Sequence, residues 1–184
     1  MNSFFSFYNA GKSSDFFSFS FFFQQTFSYN ANLWSNYETF NLVGGETGFD
    51  TEETKLPTYW STPFSKICLG MKIPGDETTN FIVINQLADS LYSLIADGRY
   101  RATSLGRDTW KTLIGPQTFL QHNCNKEGFN AHTQSAKARI GIFSNNENDC
   151  HTCDSFIGFG TGWPADNGPC GDRNTKVMGY ILIK

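Results

Sequence analysis

Long apolar runs are missing from this chain of 184 residues, so no helical membrane span is expected, since a span needs about eighteen or more consecutive apolar residues. Charge is scarce too. Lys, Arg, Asp and Glu make up 17% of the residues and the net charge is −3, which removes the basic footprint of a nucleic-acid binder. Histidine occurs three times, as His122, His132 and His151, each in Asn- or Cys-rich sequence that reads as loop. No Gly-x-Ser-x-Gly, His-Glu-x-x-His or phosphate-cradling glycine loop is present. Carboxylate pairs such as Glu52/Glu53 or Asp149/Asp154 have the chemistry to hydrolyse a glycoside. Exposed acidic pairs are more often solvated surface, and a protein that does not catalyse is expected. The N-terminus lacks a basic leader region and a small-residue cleavage site, so it reads poorly as a signal peptide. That leaves a leader already removed or an unconventional route of export.

What the chain has in abundance is aromatic side chains, 16% of the total with 19 Phe, set among Gly, Asn, Ser and Thr. Strand formers broken by turn formers imply an all-β fold, a β-sandwich or jelly-roll-like domain with one or two short helices. Its length suits one large domain that buries about two thirds of its unfolded surface. Residues 1–30 stand apart, with ten of the Phe, and residues 31–184 read as a single β-rich domain. Ser18 to Phe21 alternate with period two, as a strand with one apolar face does, and Phe21–Phe23 put aromatics on both faces. The first thirty residues are therefore read as two N-terminal strands of the core, or as an arm that completes a neighbouring copy by strand addition.

Further along, residues 64–73 and 80–85 read as strands around a turn at Pro74-Gly75-Asp76. Leu87, Leu91, Leu94 and Ile95 have helical spacing, so a helix over 87–96 ended by Asp97-Gly98 is expected, with a hairpin at Asp-Gly as the competing reading. Asp108–Lys111 reads as a helical turn. Residues 119–122, 137–143, 156–159 and 177–183 read as strands, the last placed in the centre of a sheet because VMGYILIK is so apolar. Trp34, Trp60 and Trp110 are expected in the core.

The cysteines are Cys68, Cys124, Cys150, Cys153 and Cys170. Cys68 lies in apolar sequence and reads as a buried free thiol, and the other four, in loop-like sequence, as two disulfides of unassigned pairing. The stretch 139–171 gathers oxygen ligands between those cysteines. Asn145, Glu147, Asp149, Asp154 and Asp172, with Asp166 nearby, suit calcium, a hard ion that needs several oxygens on a loop flexible enough to wrap it. The spacing is not that of an EF-hand, and the same residues also read as Asx-turns and solvated carboxylates. A four-ligand zinc set, with His122 and Cys124 as one half and the Cys-x-x-Cys of Cys150-His151-Thr152-Cys153 as the other, competes with the disulfides for the same sulfurs. A sugar site is the preferred function: Trp163 offers an aromatic face, and Asp166 and Asn167 offer planar groups for hydroxyls. Trp163 reads equally well as a cap on the core.

Four stretches taken together carry a family resemblance: KICLGM (66–71), FIVINQLADSLYSLIADGRYRATSLGRDTWKTLIG (81–115), NCNKEGFN (123–130) and ARIGIFSNNENDCHTCDSFIGFGTG (138–162). They resemble an extracellular lectin-like or fibrinogen-related domain of coral and sea-anemone secreted proteins, skeletal-organic-matrix-like ones included. The likeness covers residues 34–184 and implies secretion, disulfides, a β-rich fold and an adhesion or matrix context, with glycan or matrix protein as partner. It is uninformative about activity. Trp163 and the run Gly168-Pro169-Cys170-Gly171-Asp172 depart from the family pattern, and residues 1–30 have no counterpart in it. A second expectation of another class comes from those thirty residues: a structural subunit that self-associates by exchanging its Phe-rich arm.

Overall fold

The computed structural model describes residues 26–44, 51–73, 75, 77–116, 118–162, 170 and 177–184. Seven strands among them form two antiparallel sheets. The first sheet joins β1 (Phe64–Lys72), β2 (Thr79–Ala88) and β7 (Met178–Ile183) in the order β2-β1-β7. The second joins β3 (Arg101–Ala102), β4 (Asn123–His132), β5 (Lys137–Asn145) and β6 (Ser155–Gly162) in the order β3-β4-β5-β6. Short helices α1 (Thr58–Ser61), α2 (Leu91–Ile95) and α3 (Arg107–Lys111), with a 3-10 turn at Asn32–Trp34, fill the connections.

The period-two alternation of β1 and β2 explains the layering. Ile67, Leu69 and Met71 on β1 and Ile82 and Ile84 on β2 point inward, where they join Ile181 and Ile183 of β7. Across the core they meet Phe129, Ile140, Ile142, Ile157 and Phe159 of the second sheet. Trp34, Tyr59 and Trp110 close the ends of that core with no exposed surface. Each such buried aromatic contributes a few kcal/mol, roughly the worth of its apolar area withdrawn from water. Phe27 packs edge-on against Trp34 and Phe40, and the Tyr29 amide donates to Thr161 O (2.9 Å), so residues 27–29 belong to the packed body.

The all-β expectation holds, and four local differences have physical causes. Leu87 lies on β2 and is 81% exposed, because the helix begins only at Leu91, where a reciprocal Ser90/Ser93 capping box satisfies its first amides. Residues 119–122 form no strand, and the pairing falls to the next segment, β4, which also takes in His132. The apolar β7 is an edge strand among the described residues, not a central one. Trp60 is half-buried, whereas Trp34 and Trp110 are fully enclosed. Gly128 on β4 has φ 139° and sits where a Cβ would overlap the Arg101 carbonyl, which is how β3 comes close enough to pair.

Candidate functional site

The cysteine loop connects β5 to β6. Disulfides join Cys124 to Cys150 and Cys153 to Cys170, spanning 26 and 17 residues, and Cys68 is free. Those bridges take the sulfurs that a zinc set would need. Cys153 and Cys170 are buried with Phe143, Phe156, Ala131, Ala136 and Ala138 in a small second core on the far side of the four-stranded sheet. Within the loop, Asp149 Oδ1 accepts from the His151 amide (2.8 Å), and Asp154 Oδ2 accepts from the Asn146 amide (3.0 Å). Asn145 is buried at the end of β5; its Nδ2 reaches Asp149 O and Thr152 Oγ1 at 3.4 Å, and its Oδ1 has no hydrogen-bond partner. Glu147 is exposed. No three His, Cys, Asp or Glu side chains converge among the described residues, so the described carboxylates do not by themselves form a calcium cage. Trp163, Asp166, Asn167 and Asp172 lie outside the described residues.

A different aromatic face is in view. Tyr37 is 62% exposed and stacks on half-buried Tyr92, with ring centroids 4.4 Å apart and planes at 25°. Trp60 stands edge-on to Tyr37 at 6.1 Å, and Tyr59 stands edge-on to Tyr92 from below at 6.2 Å. The three elements that supply these rings are far apart in sequence: the turn after Asn32–Trp34, α1 and α2. Planar polar groups flank the stack. Asn36 Nδ2 donates to Glu38 Oε2 (3.0 Å), and Asn36 Oδ1 accepts from the Glu38 amide (3.2 Å).

Lys55 fixes this surface from beneath. Its Nζ, fully buried, donates to Leu33 O, to Asn36 O (2.8 Å) and to Asn36 Oδ1 (2.7 Å), so all three ammonium protons are used. The same nitrogen lies 4.9 Å from the Tyr59 ring and 5.3 Å from the Trp60 ring. Burial lowers its pKa to about 8, with the negative charge of Glu38 opposing the fall. Tyr59 Oη adds a bond to Trp34 O (2.7 Å). Asn36, the residue beside Tyr37, is thus held by a buried cation and cannot swing freely.

An open cleft of about 410 Å³ lies elsewhere, lined by Leu105, Arg107, Asp108, Thr109, His122 and Asn125. Arg107 donates to the carbonyls of Gln121 (3.1 Å) and His122 (2.7 Å), which commits part of its guanidinium to holding the wall. This cleft is polar and has no aromatic wall, so it lacks half of what a sugar needs.

Nothing in the sequence marked Tyr37 or Tyr92. Tyr37 stands among polar residues and Tyr92 among the leucines of α2, and only the fold brings positions 55 residues apart into a stack. The fold and the site together define a two-sheet, disulfide-stapled all-β domain that presents an aromatic face. No family model matches the chain, and no curated protein or solved structure matches it.

Proposed function

We propose that this is a secreted, non-catalytic binding domain that recognises glycan, free or carried on the extracellular matrix, through Tyr37, Tyr92 and Trp60. The observation that carries the reading is the exposed Tyr37–Tyr92 stack set beside the Asn36 amide and the Glu38 carboxylate. Sugar rings present apolar C–H faces that lie on aromatic rings, and hydroxyls that pair with planar amides and carboxylates. A site held rigid before binding loses less side-chain entropy on binding, and Lys55 supplies that rigidity under Asn36. Two disulfides support secretion, because such bridges persist in oxidising compartments. Among the described residues no helix is long and apolar enough to cross a membrane.

Calcium belongs to this proposal as an organiser of the 145–172 loop. Its ligands would be Asn145, Glu147, Asp149, Asp154 and Asp172, with the unpartnered Asn145 Oδ1 the one buried oxygen in the described loop left to accept a further contact. Trp163, Asp166 and Asn167 remain a second candidate contact for glycan, tested by the same experiment. A glycan array in calcium-containing buffer should give hits that Tyr37→Ala weakens at least about tenfold, the worth of a stacked aromatic contact of roughly 1.4 kcal/mol. Hits that Tyr37→Ala leaves intact and Trp163→Ala abolishes would move the site to the cysteine loop. A blank array would remove the glycan reading altogether.

A further inference from the structure

The fold that builds the aromatic face also brings two phenols into contact. Tyr37 and Tyr92 lie 55 positions apart in the chain, yet their ring centroids stand 4.4 Å apart with planes at 25°. The Tyr92 pKa lies above its ordinary 10.0, chiefly through a side-chain hydrogen bond with Tyr37. That bond needs both hydroxyls at the same end of the stack, so the ring carbons ortho to each oxygen face one another. Tyr37 is 62% exposed, which opens the pair to an oxidant arriving from solvent.

No other two described tyrosines stack in this way. Tyr59 is fully buried, donates its hydroxyl to Trp34 O (2.7 Å) and meets Tyr92 edge-on at 6.2 Å. Tyr100 stands edge-on to His132 at 6.3 Å, and Tyr29 lies 4.3 Å from the Arg139 guanidinium. Tyr180 is buried.

We propose that Tyr37 and Tyr92 form an intramolecular dityrosine, a carbon–carbon cross-link made by a haem peroxidase acting with hydrogen peroxide. The peroxidase takes one electron and one proton from each phenol, and each radical shares its spin with the carbons ortho to oxygen. Electron transfer across the stack lets the exposed ring serve both oxidations. One ortho carbon of each ring forms the new bond, and its hydrogen then moves to the oxygen of that ring, restoring both phenols. In sum, two tyrosines and one peroxide give one dityrosine and two waters. Stacked carbons stand roughly 3.5–4.0 Å apart and a C–C bond is about 1.5 Å long, so the rings must tilt together. The exposed Tyr37 ring has room to do so, whereas Tyr92 is half-buried on α2. Proximity selects the product, because radicals already in contact couple faster than radicals that must meet by diffusion. The oxidising surroundings in which the two disulfides persist suit this chemistry. The cross-link does not depend on glycan recognition, and its test reads no sugar.

The test treats the full chain, disulfides intact and at micromolar concentration, with a haem peroxidase and limiting hydrogen peroxide. Mass spectrometry of the monomer should show the loss of two hydrogens, and digestion after reduction should yield the Tyr37 peptide joined to the Tyr92 peptide. Dityrosine fluorescence should rise with it, and the cross-linked monomer should exceed covalent dimer at least about tenfold. The urea-unfolded chain should lose that preference. Tyr37→Phe and Tyr92→Phe keep both rings and should each remove the monomeric product, while Tyr100→Phe leaves it. The cross-linked monomer should melt roughly 10 °C higher, since the bond closes a long loop. Covalent dimer as the main product would overturn the proposal, by assigning Tyr37 to a contact between copies. A monomer with no joined peptide, or a monomeric cross-link that survives Tyr37→Phe, would overturn it as well.

Discussion

Glu127 shows how a single residue can hold a segment that has little regular structure of its own. Its carboxylate, 7% exposed on β4, accepts from Trp110 Nε1 (2.8 Å), Thr103 Oγ1 (2.7 Å) and the amides of Leu105 (3.0 Å) and Gly106 (2.8 Å). Those four donors lie in or just before α3, so one side chain pins the whole 103–110 segment to the sheet. Burial, the largest single influence, pushes its pKa up, but the four hydrogen bonds together outweigh it and hold the pKa below the ordinary 4.5. A carboxyl depressed in the folded state stabilises the fold above its unfolded pKa and loses that contribution as pH falls through the folded value. Glu127→Gln should therefore cost about 2–4 kcal/mol near neutral pH, because its amide N–H faces donors and leaves at least one of them unpaired. The gap between wild type and variant, read from urea unfolding at pH 7, 5 and 3, should narrow below about pH 4.5 as the wild type loses the linkage term. A gap that is constant over that range would mean that the charge on Glu127 does not matter. Arg139 plays a comparable part elsewhere: its guanidinium donates to Tyr29 O, Ile95 O and Asn130 Oδ1, and stacks 4.3 Å from the Tyr29 ring.

At the scale of elements, the two disulfides differ less in loop length than in surroundings. In the chain-entropy description each is worth roughly 3 kcal/mol, and the longer Cys124–Cys150 loop gains only about 0.4 kcal/mol over the shorter. Packing reverses that order. Cys153 and Cys170 are 6% and 3% exposed inside the second small core, whereas Cys124 and Cys150 are half-buried at the edge. The double replacement Cys153→Ser/Cys170→Ser should lower the melting temperature by roughly 8–15 °C, and more than Cys124→Ser/Cys150→Ser does. Equal losses in the two variants would show that loop closure alone sets their worth. The same contrast between sequence pattern and surroundings decides which elements could be read in advance. β1, β2, β5 and β6 carry their inward residues as apolar letters and could be placed from the chain alone. β4 could not: Glu127 and Asn130 look like loop residues, and only tertiary partners make them buried strand positions. Asn130, at φ 48°, donates to the carbonyls of Ile95 and Arg99, contacts that no local pattern announces. β7 misled in the opposite direction, since its unbroken apolar run suggested a central strand. It is instead an edge strand among the described residues. The paired cysteines and the free Cys68 were legible because redox chemistry and local polarity separate them. The Tyr37–Tyr92 stack was not, because it exists only after α2 folds onto the chain near Asn36.

Over the whole molecule, one linkage experiment separates two meanings of the acidic loop. Asp149 and Asp154 already give one oxygen each to backbone amides, which closes the β5–β6 connection as a turn without an ion. If calcium also binds, it binds the folded chain alone, because the unfolded chain holds none of these oxygens together. Stability must then rise with the logarithm of the ion concentration, by about 2.7 kcal/mol at a hundredfold excess over the dissociation constant. For a domain of this size that is a shift of roughly 5–10 °C in melting temperature. The proposal expects added calcium to raise the melting temperature by that order and EDTA to reverse it, with the disulfides intact throughout. Asn145→Ala serves as the internal check. If Asn145 Oδ1 is a ligand, the variant loses the calcium response as well as some stability; if Asn145 acts only through its Nδ2 bonds to Asp149 and Thr152, stability falls and the response stays. A wild-type melting temperature indifferent to both calcium and EDTA would leave the carboxylates as turn formers. It would also place glycan recognition wholly on the aromatic face over Lys55, whose geometry requires no ion.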